Sequence, residues 1–502
     1  MKMSLRMSFS DDYPFVFRQQ IRSFRGEDRI SQLPDAVLRH ILSFVPTTKC
    51  VVRTCILSKR WKDIWASIPN LYFRDEEFSS SADFIAFVDR VLLHRGSSAI
   101  QKFHLHFNRY CAEDFSRVDS WISTAVRCNV VELVLSIGSG GQAMFELPLS
   151  LVTCKTLEVL RLMMSLFIIN NVPTSGCFPS LKCFHLHFTD NYANYTAMRL
   201  FYFSVLEHFT IDGDPGPSLL DLNIFAPELK TLRIEFSSSN DMHKYYNIDI
   251  DAPDLEKLDL KVGSLSNFSL TDTKSLVEAD IKLCFHPNED YVQEDSVRRD
   301  TEFLAAISIV KYLSLSGSIY EACSVPAFDN LIKLRLVHFG GSHWWKTLMK
   351  LLERSPNLEC LVIDHQIHPT RRQVEVEVIE LDPEKEEEVI EHTGYEVSLI
   401  EVTKYTKVLN WIPPNSVPNC LLSHLKTISI RGFRGKGCNG YLDEMELTKY
   451  LLKNGRVLEK MIIYTPGAFR DTKEDIFNET SMIEWSSKVV QVEIIEKMFY
   501  GE

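Results

Sequence analysis

The chain has 502 residues, 45% of them hydrophobic and 24% charged, with a formal net charge of −12 and a pI near 5.7. That hydrophobic content excludes a largely disordered chain, and the length suits several domains or one long repeat array. The acidic balance argues against bulk binding to nucleic acid, and no apolar run in the sequence reaches the eighteen residues or so of a membrane span.

Residues 1–27 lack the apolar core of a secretory signal, and Asp11 and Asp12 run against a transit peptide, so a flexible extension is expected there. Residues 28–65 then read DRISQLPDAVLRHILSFVPTTKCVVRTCILSKRWKDIW. Pro34 suits a first helical turn, and Asp35 places negative charge at the positive end of the helix dipole. Val37, Leu38, Ile41, Leu42 and Val45 recur at helical spacing until Pro46 ends the helix. Thr47 and Thr48 are candidate caps for a second helix from about Lys49, with Val52, Ile56 and Leu57 apolar. Ser58 precedes a third short helix carrying Trp61, Ile64 and Trp65. Three short helices cannot bury Leu33, Ile41, Leu42, Phe44, Val45, Ile56, Leu57, Trp61 and Trp65 among themselves. Some must meet another surface, either the rest of this chain or a partner, and pattern alone favours neither.

The string DRIS-x-LPD, then ILSFVPT, then CILSKRW-x-x-IW closely resembles the F-box of plant F-box proteins. The resemblance implies docking on a Skp-family adaptor, which connects to a cullin scaffold and a RING ubiquitin ligase. It assigns the docking face to Leu33, Pro34, Ile41, Leu42, Val45, Val52, Leu57 and Trp61. Thr47-Thr48-Lys49 is one residue longer than the usual Pro-Thr-Lys segment.

A hexad with apolar residues at positions one, four and six follows. Copies begin at Leu157, Leu181, Leu206, Leu229, Leu255, Leu331 and Leu358, with weaker ones at Ile100, Val130, Leu276 and Val310. From Leu157 to Leu276 the starts step by 24, 25, 23, 26 and 21 residues, within the range of leucine-rich repeats. Positions four and six alternate around a polar residue, as in a strand, and stacked copies would share one continuous core. Residues at positions two and three, such as Glu158 and Val159, Lys182 and Cys183, Lys230 and Thr231, or Glu256 and Lys257, are expected on the concave recognition face. The stretches between hexads are poorly helical, so irregular or short helical convex segments are expected.

Residues 374–391 (VEVEVIELDPEKEEEVIE) hold nine acidic residues and one lysine, and read as a solvated insert. The hexad returns at Leu425 and Leu458, around a helix carrying Leu447, Tyr450 and Leu451 with Gly455 as its stop signal. Residues 417–464, with the lead-in Trp411 and Pro413, resemble the FBD domain that follows F-box and leucine-rich repeats in plant proteins. The Gly432–Gly437 run is a turn, because a phosphate loop needs Lys then Ser or Thr after its second glycine.

The twelve cysteines form no C-x-x-C pair and are expected as free, mostly buried hydrophobes in a reducing compartment. His104 and His106, and His185 and His187, each share a strand face but have no partner at ligand spacing in sequence, so no metal and no other cofactor is assigned. No catalytic signature is present.

The expected fold is α/β: a three-helix F-box over 28–74, an irregular leucine-rich-repeat solenoid over 98–370, an acidic insert and linker over 371–410, a strand-helix-strand FBD unit over 411–465, and a C-terminal segment over 466–502. The resemblance implies a non-catalytic substrate-recognition subunit of a Skp-cullin-F-box ligase, in the nucleus and/or cytoplasm, with an unnamed target protein and with neither nucleic acid nor membrane as partner. Two other readings stand beside it. One is an F-box scaffold that degrades nothing. The other is a small-molecule receptor, in which a loop over 285–302 brings Arg298 and Arg299 over the concave face.

Overall fold

The computed structural model describes residue 30 and residues 32–109, 114–138, 145–163, 167–168, 177–189, 201–214, 220–236, 246–262, 268–271, 273–283, 294–316, 324–337, 344–365, 411–433, 441–465 and 472–496. The extension 1–27 and the acidic run 374–391 therefore lie outside the described residues, as does most of the Gly432–Gly437 turn.

The N-terminal module is three short helices, α1 (Asp35–Ser43), α2 (Thr48–Arg53) and α3 (Lys59–Ala66), with a 3-10 turn at Thr54–Ile56. Thr47 caps α2, its hydroxyl accepting from the Cys50 backbone N–H. Leu38, Leu42, Val51, Trp61, Ile64 and Trp65 point inward and merge with the core of the following sheet through Ile68, Leu71 and Phe73.

That sheet has fifteen parallel strands, and among the described residues each pairs with the next strand of the series in chain order. It opens with β1 (Asn70–Arg74), β2 (Lys102–Phe107) and β3 (Glu132–Ile137). Every hexad, the weaker ones included, supplies one strand. Leu157, Leu160 and Leu162 are fully enclosed, as are Leu255, Leu258 and Leu260. Each such leucine gains roughly 2 kcal/mol from burial, and the gain exists only because a neighbouring repeat covers it. The first strand and the last, Gln491–Glu496, follow the same spacing, with Ile68, Leu71 and Phe73 and with Val489, Val492 and Ile494, although neither is among the hexads read from the sequence.

The convex side differs from the expectation of poorly helical connectors. Ser81–Arg95 (α4) and Phe115–Arg127 (α5) are regular helices of 15 and 13 residues. Their apolar faces, including Phe84, Val88, Trp121 and Ile122, pack under β1 to β3. In the middle of the chain the convex side becomes a second parallel sheet of Phe201–Tyr202, Leu220–Phe225, Tyr246–Asp251 and Phe268–Thr271. Helices return at Glu294–Ala306 and Trp344–Glu353.

The FBD segment is not a separate body. Its first strand, Thr427–Arg431, pairs directly with the repeat strand Cys360–Asp364, although residues 365–426 separate the two in the sequence. The ring of Trp411 lies 5.1 Å from Trp345 and 5.6 Å from Tyr450, wedging the lead-in between a repeat helix and the helix Tyr441–Asn454. The segment after residue 465 adds the helix Thr472–Ser481 and the fifteenth strand.

Candidate docking face and recognition sheet

The α1 stripe divides between two environments. Leu38 and Leu42 face the core, whereas Val37 and Ile41 face solvent with Phe44 beyond the helix end. Of the eight residues assigned to docking, Pro34, Ile41 and Leu57 are exposed, and Leu33, Val45 and Val52 are half-buried. Leu42 and Trp61 are only 4% and 5% exposed, so they support the module from beneath and offer no surface. Phe44 and Ile56 are 75% and 84% exposed, the barest apolar side chains of the module, and neither is among the eight. Exposed apolar residues concentrated on so small a unit make it a candidate protein-binding surface. Arg60 holds the geometry, its Nε donating to Asp35 at 2.7 Å and its guanidinium to the Leu33 carbonyl at 2.5 Å.

The longer turn after Pro46 faces the solenoid. Thr48 is buried, and its hydroxyl accepts from the Tyr72 N–H of β1 at 2.8 Å. The Thr47 hydroxyl donates to Glu77 at 3.3 Å. Lys49 donates to the Glu77 carbonyl and lies 4.1 Å from the centre of the Phe78 ring. Beyond them the fully buried Asp75 carboxylate accepts the backbone N–H groups of Asn108 and Arg109 at 3.0 and 2.8 Å, fixing the end of β1 to the end of β2. Arg95, at the end of α4, donates to the carbonyl of Ile68, and burial lowers its pKa to about 10.

On the fifteen-stranded sheet the outward positions are three and five of each hexad and the residue after it, not two and three. Position two lies before the strand, where it forms exposed ladders such as Lys182–Glu158 at 3.4 Å and Lys230–Glu207 at 2.8 Å. The outward rows are mostly self-paired. Glu235 bonds Arg233 and Lys261, at 2.5 and 2.7 Å, and these two cations lower its pKa to about 2. Asp364 takes Arg335 at 2.6 Å, and Arg431 of the FBD strand lies 3.8 Å away, so the FBD unit contributes to this face.

The four singled-out histidines sit on the same face. His104 bonds Glu132 at 3.0 Å, and burial lowers its pKa and that of His106. His185 and His187 share the Asp212 carboxylate at 3.1 and 2.7 Å. Sequence spacing gave no hint of these partners, since strand register brings them from the next repeat. No cluster able to hold a metal occurs among the described residues. The eight described cysteines are free, and burial pushes the Cys420 thiol up to about 12.

Of the loop expected over the concave face, residues 285–293 lie outside the described residues, and the part that carries Arg298 and Arg299 is a helix instead. Residues 294–306 are helical, Arg298 pairs with Glu302 one turn on, and Phe303 packs on Phe268 of the convex sheet. Arg298 therefore lies on the far side from the recognition sheet.

A small helical module with bare apolar side chains, joined to one end of a parallel-stranded solenoid, is the architecture of a helical-module repeat protein. Three family models match: F-box domain over residues 30–73, At1g61320/AtMIF1 LRR domain over 91–412, and FBD over 413–463. Among similar proteins of Arabidopsis thaliana, F-box/FBD/LRR-repeat protein At4g00160 is 31% identical over 89% of this chain and 88% of its own. F-box/FBD/LRR-repeat protein At3g52680 is 29% identical over 89% of this chain and 87% of its own, and At4g26340 is 30% identical over 86% and 91%. The chain belongs to the plant F-box/FBD/LRR-repeat family.

Proposed function

We propose that this protein is the non-catalytic, substrate-receiving subunit of a Skp-cullin-F-box ubiquitin ligase. The observation that carries the reading is the exposure of Ile41, Phe44, Ile56 and Leu57 on a module whose opposite side is locked into the solenoid. A Skp-family adaptor would cover these side chains and link the chain to a cullin, leaving the recognition sheet for a target protein. A rigid connection suits that task, because ubiquitin transfer needs the target held at a defined distance from the ligase. Self-paired charges suit a specific protein face, since a wrong partner would strand them unpaired. The nucleus and the cytoplasm are the compartments where such a ligase would act.

Turnover tests the reading. Proteins captured on the wild-type chain should accumulate when the proteasome is inhibited, and should also accumulate without inhibitor on a chain whose docking face is disabled. Capture of partners whose abundance responds to neither condition supports a scaffold that degrades nothing.

A further inference from the structure

The convex sheet has an outward face of its own. Leu222, Ile224, Ile248 and Ile250 point into the shared core, so the alternate positions point to solvent. Strand register aligns Tyr202, Phe225, Asp251 and Thr271 in one row, and Asp249 and Ser269 in the next. The Tyr202 and Phe225 rings stack in parallel, 4.9 Å apart and 7° from coplanar, and both are partly bare. Beside them is an open depression of about 280 Å³ lined by Phe225, Asp249, Asp251, Ser269 and Thr271. The recognition sheet neutralises Asp212, Glu235, Asp259, Glu278, Asp280 and Asp364 with its own cations or histidines. Asp249 and Asp251 take no such partner among the described residues.

We propose that this face is a second binding surface, and that its occupant is an extended, arginine-bearing protein segment. Alternate side chains of an extended peptide project about 6.5–7 Å apart, the same spacing that separates Asp249 from Asp251 along their strand. Two guanidinium groups at alternate positions can each meet a carboxylate, and one can also lie flat against the aromatic pair. A lysine ammonium meets the charge but matches the flat rings and forked geometry less well. Binding here requires neither the adaptor nor the recognition sheet, so its failure leaves the ligase reading intact.

The experiment is fluorescence anisotropy with the full chain and two labelled probes of about eight residues, one alternating Arg and Gly, the other Lys and Gly. Asp249→Asn with Asp251→Asn should weaken the arginine probe by about tenfold, as loss of two exposed charge contacts implies. Glu474→Gln with Glu484→Gln removes equal charge from exposed positions elsewhere and should change affinity by less than about twofold. Phe225→Leu should narrow the preference for arginine over lysine. Equal losses in the two double variants, an unchanged preference for arginine over lysine in Phe225→Leu, or no binding by the wild type would each overturn the proposal. Thermal melts confirm that the variants remain folded.

Discussion

The backbone N–H of Tyr72 in β1 donates to the hydroxyl of Thr48 in α2 at 2.8 Å, joining the helical module to the first strand of the solenoid. Thr48 belongs to the turn that is one residue longer than the F-box pattern. The longer turn supplies both a cap, Thr47, and a fastening, Thr48. Thr48→Val keeps the shape but leaves the Tyr72 N–H without its acceptor. It should cost about 1–3 kcal/mol in denaturant unfolding, whereas Thr48→Ser should restore most of the loss.

The two groups of apolar residues on the helical module should separate cleanly. Trp61→Ala opens a cavity under α1 and should destabilise the chain by about 3–5 kcal/mol. Ile41→Asp with Leu57→Asp changes side chains that are 46% and 61% exposed and should leave the melting temperature within a few degrees, about 1 kcal/mol in effect. Comparing thermal unfolding of the two variants checks the division.

Acid should reveal two opposite slopes. Glu235 has its folded pKa lowered to about 2 by Arg233 and Lys261, so its contribution is full above the unfolded value of 4.5 and is lost as pH falls from there toward 2. Asp300 has its folded pKa raised to about 6 by burial, so the folded state gains stability as pH falls from 6 toward 3.8. Both side chains are partly exposed, and solvent screening reduces each effect to about 1 kcal/mol. Glu235→Gln should flatten the loss below pH 4.5, and Asp300→Asn the rise below pH 6, in unfolding midpoints measured across that range.

At the junction between repeats and FBD unit one backbone position tolerates no side chain. Gly432 has φ +71°, and a Cβ there would press on the His365 carbonyl. Gly432→Ala should therefore cost more than the roughly 1–2 kcal/mol of a left-handed residue alone. Because the FBD strand pairs directly with Cys360–Asp364, hydrogen exchange should rise in both strands together. Exchange confined to the FBD strand would mean that the two units are uncoupled.

The sequence was most legible where one pattern repeats. The one-four-six hexad marks residues that must be buried, and the parallel sheet follows from stacking them. Which polar residues face outward depends on where each strand begins, and the hexad does not state that. Position two therefore reads as part of the recognition face, while position five, which holds Arg233 and Asp259, does not. The short alternating stretches LDLNIF and YNIDID carry the convex sheet, but each is too brief to be told from a connector. On α1 the apolar residues form one stripe, and helical periodicity does not say that Leu38 and Leu42 turn inward while Val37 and Ile41 turn outward. Asp212 is invisible as a partner of His185 and His187 until register aligns strands 25 to 27 residues apart.

The central claim is that the bare apolar side chains of the helical module receive a Skp-family adaptor. The most direct measurement is co-expression of the full chain with such an adaptor, followed by size-exclusion chromatography with light scattering. The wild type should elute as a stable one-to-one complex, and the Ile41→Asp, Leu57→Asp variant should elute folded and alone. A complex that survives the double variant, or a folded wild type that never binds the adaptor, would contradict the assignment.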